Sequence, residues 1–520
     1  MLEPAPAAID THVLMGPFAR GRRLPQVAAG VLLRPFIPGD AAVVNAGEGA
    51  VKVDDIATRS VPRIYSLTWP LFLQMLFMHL IGLVDIFVLS RISDDASAAV
   101  GAVNTVMTFV IMMFSFMGQG GSLVYAQCLG AGRPDDARRY YSASLVLHLA
   151  AGVTVSLLLF VFAPDIARLL GLGGVHFEYG ATYLRVVGGG IVFYAVVSMF
   201  AGIMSANGHT RQMMTASVLT NVLNTGLLYV LVLSPAGPQW GVAGAAWSTV
   251  TASFVGLAYN VWLVAFRLRI RFAVALSLRD LVRDGRILLR YTVPTTLEPM
   301  LWQAAQIVAT AIITALGPVA LAARIYTLTI TNLIGMFSSA LSQGLQITVG
   351  HLAGAGDAAA VRRTYRWVVW IGLAVAVLLA AMAGLLSGPI MRIFTDDPDV
   401  VRVGQLLLAM GLVYLPSSAV IMNTAGALRG VGQVRYPALV GIVVLWTVFL
   451  PLAYTLSLPL GLGVLGVMIA MGVDENLRAV LLVLRWRRLI ASPDGTALLA
   501  RTLISPSNRR STVPSEVASQ

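Results

Sequence analysis

From Ile64 onward the chain alternates long apolar runs with short polar breaks, and twelve of the runs are long enough to cross a bilayer. They fall near 64 to 90, 96 to 127, 140 to 163, 179 to 204, 213 to 233, 240 to 266, 287 to 316, 318 to 352, 367 to 391, 400 to 427, 436 to 457 and 461 to 484. Lipid offers no partner to a backbone N–H or C=O, so runs of this length predict α-helices that close their own hydrogen bonds. The longest polar interruption, 267–286, carries Arg267, Arg269, Arg271, Arg279, Arg283 and Arg286, and is read as a basic linker between a first lobe, 62–266, and a second, 287–487. Residues 1–61 and 488–520 read as disordered cytoplasmic extensions. The apolar stretch Val27 to Ile37 is short and is broken by Arg34 and Pro35, which argues against a signal peptide.

The pattern repeats. A shift of 294 − 70 = 224 positions lays Pro70 on Pro294, Gln119-Gly120 on Gln343-Gly344, Gly130-Ala131-Gly132 on Gly354-Ala355-Gly356, and Arg138-Arg139 on Arg362-Arg363, without a gap. With the shift changed to 222, Gly208 meets Gly430, and Gly241-Val242-x-Gly244 meets Gly463-Val464-x-Gly466. A period this long is a domain-sized duplication, of the kind found in transporters whose site lies between two related halves. Six spans per half is an even number, so the repeats are expected to be parallel about an axis along the membrane normal, around a central cavity.

Composition agrees with this reading. Hydrophobic residues make up 57% and charged residues 12%, with mean hydropathy +0.80, which a water-soluble domain could not carry on its surface. The net charge of +12 comes from arginines clustered in alternate short loops, which fits a positive-inside bias rather than nucleic-acid binding. The opposite loops hold Asp94-Asp95 and Asp396-Asp397. Both termini are therefore expected in the cytoplasm, in a multi-pass protein of the plasma (inner) membrane. The single cysteine, Cys128, excludes an intramolecular disulfide.

Pro70 with Asp85, Gly118-Gln119-Gly120, Gly130-Ala131-Gly132, Ala137-Arg138-Arg139 and their echoes from Pro294 to Arg363 resemble the multidrug and toxic compound extrusion (MATE) transporters. The likeness covers about residues 62 to 487. It implies two six-helix lobes flanking a cavity, and export of organic, often cationic, compounds against inward flow of H⁺ or Na⁺. No cofactor, metal or nucleic-acid partner is expected beyond that coupling ion, and a monomer in the bilayer with a small organic substrate is the reading.

Several polar residues stand inside apolar runs. A lone carboxylate such as Asp85 costs roughly 3 kcal/mol at the centre of a span, so it must face protein or a watery cavity. It is either a structural hydrogen-bonding group or, as the resemblance implies for an acid fifteen residues after this proline, the ion or proton site. Glu298 corresponds to Gln74 in the repeat, and is either a cavity acid or the partner of Arg290. The resemblance places the second-lobe acid about a turn further on, where Trp302 stands. Asn221 and Asn224 share a helical face and suit either cation coordination beside Asp85 or interhelical hydrogen bonds. Arg324 is a cavity counter-charge or a snorkelling group. Asp474, Glu475 and Arg478 are spaced for an internal ion pair. Pro70 and Pro294 are hinges or fixed kinks. The glycines at 188–190 are expected to permit close helix packing.

Three rival readings fit the chain less well. A lipid-linked oligosaccharide or polysaccharide flippase needs a more cationic cavity. A major-facilitator transporter shares the Gly130 to Arg139 loop pattern but not the duplicated Gln119-Gly120. A membrane-embedded transferase needs a catalytic set that the chain does not assemble, so a non-enzymatic protein is expected.

Overall fold

The computed structural model describes residues 64–77, 88, 93–235, 237–273 and 277–491, all within the unit Lys52–Gln520. Asp85, the two terminal extensions up to Arg63 and from Ser492, and the second half of the first apolar run lie outside the described residues. Among the described residues every regular element is a helix. In chain order they are α1 (Ile64–Phe77), α2 (Asp94–Gly130), α3 (Pro134–Val161), α4 (Ala163–Leu169), α5 (Gly174–Gly189), α6 (Ile191–Ala206), α7 (Thr210–Leu228) and α8 (Gly241–Trp262). The second half supplies α9 (Leu278–Thr314), α10 (Pro318–Gly354), α11 (Ala358–Leu385), α12 (Ser387–Arg392), α13 (Pro398–Gly430), α14 (Arg435–Val444), α15 (Leu450–Ser457) and α16 (Gly463–Ala491). π-helical turns follow α7 (Tyr229–Leu233) and α8 (Leu263–Arg267) and join α14 to α15 (Leu445–Phe449).

The helices begin where the sequence supplies caps. Ser93 accepts from the Ala96 N–H at 3.0 Å, Asp357 from Ala360 at 2.8 Å and Asp397 from Asp399 at 2.9 Å, while Pro134, Pro318 and Pro398 occupy first-turn positions that need no N–H donor. Among the described residues, eight helices are long and apolar enough to span by composition, and α5 with α6 makes a ninth, bent by 44°. The bend falls at Gly190. There Ser156 Oγ donates to Gly189 O at 2.8 Å and accepts from the Val192 N–H at 3.2 Å, replacing ladder bonds that the break removes. The glycines at 188–190 thus do more than permit packing. α9 and α16 carry polar and charged residues within their apolar stretches, among them Glu298, Gln303 and Gln306 in α9 and Asp474, Glu475 and Arg478 in α16; with them and α1 the twelve-helix arrangement is complete. α9 is helical from Leu278, so its first turns lie within the stretch read as a linker.

The two halves are related by a pseudo-two-fold axis, visible as reciprocal contacts. A Cβ at Gly120 would lie 2.7 Å from Thr292 Cα, and one at Gly344 would lie 2.8 Å from Thr68 Oγ1. Both partners obey the same shift, 344 − 120 = 292 − 68 = 224. Likewise Gly130 abuts the backbone of His351 and Gly354 that of Gln127, and 354 − 130 = 351 − 127 = 224. Ala126 faces Gly350, its own repeat mate, so the axis passes between them.

One detail of the sequence register changes. Gly208 and Gly432, not Gly430, share the left-handed conformation that closes a helix, with φ of 78° and 87°, and His209 N to Met204 O is echoed by Gln433 N to Leu428 O, both at 2.8 Å. The 224 shift therefore holds through this loop. Gly241 and Gly463, at φ 55° and 56°, fix the 222 shift beyond it. The two-residue difference is absorbed between them, in the stretch where each half carries a π-helical turn; such a turn is a local insertion in an α-helix.

Packing across the axis is uneven. Leu67, Leu123, Tyr125, Leu288, Ala340 and Ile347 belong to one buried cluster that joins the halves, and Ile64 joins a second with residues of α10, α11, α13 and α16. These lie at the end where the arginine-rich loops gather. Toward the other end the buried clusters are one-sided, drawn from residues 88–246 or from residues 305–471.

Candidate functional site

A cavity of about 230 Å³ lies among α1, α2, α6 and α7 of the first half, walled on the remaining side by α10 of the second. Its polar lining is made of amides and hydroxyls: Gln74, Gln119, Gln343, Gln346, Tyr194 and Ser217 among them. The duplicated Gln-Gly pair explains its own geometry. Each glycine lets a helix of the opposite half approach, and each neighbouring glutamine, Gln119 and Gln343, then lines the cavity. Gln74 Nε2 donates to Ser217 Oγ at 2.9 Å, tying α1 to α7, and Ser115 Oγ meets Tyr194 Oη at 2.8 Å. Leu71, Met75, Met213 and Ile347 supply apolar wall. No charged side chain is among the described lining residues.

At the arginine-rich end a reciprocal latch closes the space between the halves. Gln127 Nε2 donates to Gly430 O at 2.8 Å, and His351 Nε2 lies 2.8 Å from Ala206 O. These are the same interaction seen from each side of the axis, since 351 − 127 = 430 − 206 = 224. Each bond crosses from one half to the other. Nearby, Arg139 of α3 bonds Asp280 at 3.1 Å and Asp284 at 3.2 Å at the start of α9. The Asp280 carboxyl is held below its usual range, first by the Ser277 hydroxyl and then by Arg139 and Arg283.

The residues singled out in sequence separate into two groups. Gln74 lines the cavity; Asn221 and Asn224 lie one and two turns beyond Ser217 on the same face of α7. Glu298, Trp302 and Arg324 do not line this cavity but belong to the second half. Glu298 accepts from Arg429 Nη2 at 3.0 Å, each side chain 17% exposed, so Arg429 takes the partner role considered for Arg290. Trp302 packs on the apolar cluster of Ala305, Ile313 and Phe449. Arg324 is 2% exposed and donates to Gln306 Oε1 at 3.0 Å, a buried group rather than a snorkelling one. Pro70 and Pro294 sit inside helices that continue through them. Sequence reading did not single out Gln119, Gln343, Gln127 and His351 as site residues, although the repeat register that found the first two was the available signal.

The MatE family model matches the chain twice, over residues 70–230 and 294–455. The chain belongs to the MatE family. Its two matches start 294 − 70 = 224 residues apart, the same shift that relates the latch bonds. Among curated MatE-like relatives, "Uncharacterized transporter YisQ" of Bacillus subtilis (strain 168) is 29% identical over 436 residues, covering 84% of this chain and 96% of that protein. "Probable multidrug resistance protein NorM" of Thermotoga maritima is 27% identical over 419 residues, covering 79% and 88%. A crystal structure of MATE in the bent conformation superposes with TM-score 0.80 at 20% identity, covering 87% of this chain and 100% of that one, which shows the shared fold.

Proposed function

We propose that the protein is a secondary active antiporter that exports organic, cationic or amphiphilic compounds in exchange for H⁺ or Na⁺. The observation that carries this reading is the cavity walled by both halves, closed at one end by bonds that must break for the other state to form. Its lining suits such cargo: amide and hydroxyl oxygens receive a cation without a fixed counter-charge, and Leu71, Met75 and Met213 receive apolar surface. The name of the Thermotoga maritima relative points the same way.

In this account the arginine-rich end is cytoplasmic, because positively charged loops stay on that side of an inner membrane. Asp85, 85 − 74 = 11 residues beyond Gln74 in the first apolar run, is the coupling group. A proton or sodium ion arriving from outside neutralises it, the first lobe becomes less polar, and cargo is released. Loss of that cation toward the cytoplasm restores the charge and the affinity for an organic cation. The protein works as a monomer with the bilayer as its surroundings.

Efflux into inverted vesicles, driven separately by a pH gradient and a sodium gradient, tests the reading. Wild-type protein should concentrate an organic cation with at least one of the two gradients. Asp85→Asn should insert normally, since an amide costs less than a carboxylate in lipid, and should lose gradient-driven transport. Transport by Asp85→Asn at the parent rate would remove Asp85 from the coupling role.

A further inference from the structure

The second half holds a buried charge group that the cavity does not use. On α16, Arg478 donates to Asp474 and, at 3.0 Å, to Glu475. The three residues are 7%, 1% and 5% exposed, respectively. Two carboxylates therefore share one guanidinium. Asp474 Oδ1 and Glu475 Oε2 are enclosed and have no hydrogen-bond partner of their own, and the Ser418 hydroxyl of α13 beside Glu475 is a neutral donor that brings no charge. A carboxylate in this position is costly, and two cannot both be neutralised by one cation.

The surroundings do not supply the missing charge. From α9 comes Glu298, close enough to act on Arg478 but already bonded to Arg429 of α13. α13 also brings Tyr414, within electrostatic reach of both Glu475 and Arg324 of α10. Arg324 itself makes no ion pair among the described residues, and its guanidinium donates to Gln306. α14 offers Tyr436, whose hydroxyl is turned to Leu481 O at 3.4 Å, and no ion pair among the described residues joins α14 or α15 to the group. In direct contact, the tally is two anions to one cation.

We propose that Asp474 and Glu475 together bind one proton, making a second protonation site in the lobe opposite Asp85. The proton sits on one of the carboxyl oxygens that has no donor. The group then becomes one carboxylate, one carboxyl and one guanidinium, with no net charge in its immediate shell. Because α16 and α9 meet here, release of this proton places an uncompensated charge beside the Glu298–Arg429 pair and biases the packing of α9 against α13 and α16. This deepens the exporter reading and rests on it for its physiological meaning, but the binding event itself does not require transport.

The test therefore uses equilibrium protonation of the purified full-length protein. Infrared difference spectra between acidic and alkaline pH, in H₂O and D₂O, report protonated carboxyl groups, and an indicator dye counts protons released across the same step. In an Asp85→Asn background the carboxyl band should persist. Adding Asp474→Asn and Glu475→Gln should abolish it and lower the count by about one proton per molecule. Thermal unfolding identifies a variant that fails to fold, in which case Glu475→Gln alone, which keeps the Arg478–Asp474 bond, takes its place and should shift or remove the band. A folded double variant with an unchanged band and proton count overturns the proposal. So does an Asp85→Asn protein with no band, which would mean that water alone satisfies the two oxygens; that outcome would leave the exporter reading standing. Loss of transport with the proton site intact would do the reverse.

Discussion

Glu298 and Arg429 show what the bilayer demands of a single residue. Each side chain is 17% exposed, so neither is free to hydrate fully, and their 3.0 Å contact replaces much of the lost water. Removing one partner leaves the other uncompensated. For a fully buried pair that costs roughly 3–5 kcal/mol, and partial exposure reduces it here to about 2 kcal/mol. Glu298→Gln and Arg429→Gln should each lower the thermal midpoint in detergent, and the double variant should be less destabilised than the sum of the singles. Additive losses would show that the two side chains do not stabilise one another. This partnership was not legible in the sequence. Arg429 is 131 positions from Glu298, whereas Arg290 is local and was the natural candidate.

At the scale of the helix, small residues decide how close the halves come. Gly130 at the end of α2 and Gly354 at the end of α10 each touch the backbone of the other helix, and a methyl group at either would enter occupied space. Overpacking of this kind costs about 1–3 kcal/mol, more than the roughly 1 kcal/mol that alanine gains over glycine in a helix. Gly130→Ala and Gly354→Ala should therefore loosen the arginine-rich end, seen as faster thiol labelling of a cysteine placed at Ser205. Gly101, also in α2, has nothing within 4 Å of its Cβ direction, and Gly101→Ala should leave that labelling unchanged while raising stability by about 0.5–1 kcal/mol. Equal effects at both positions would contradict the contact argument. Apolar run length made most of these helices readable in advance, because bilayer thickness constrains sequence directly. The bend at Gly190 and the π-helical turns were not readable, since each depends on a neighbour such as Ser156 or on a length mismatch between halves.

Across the whole molecule, the gapless 224-residue shift predicted a parallel duplication, and the structure turns it into reciprocal bonds about one axis. What the shift could not reveal is which members of the repeat face the cavity and which hold it shut. Gln119 and Gln343 do the first; Gln127 and His351 do the second, against carbonyls at 430 and 206. In the proposed exporter, alternating access means breaking this latch while the one-sided clusters at the far end come together. The pair on the axis gives the most direct test. A Cβ at Gly350 would lie 3.1 Å from the Ala126 Cβ, near the ~3.5–4.5 Å of a disulfide, so Ala126→Cys with Gly350→Cys, in a Cys128→Ser background, should cross-link under mild oxidation. Gradient-driven efflux into inverted vesicles should vanish in the oxidised protein and return on reduction, and undiminished efflux from fully cross-linked protein would contradict transport by separation of the two halves at this end.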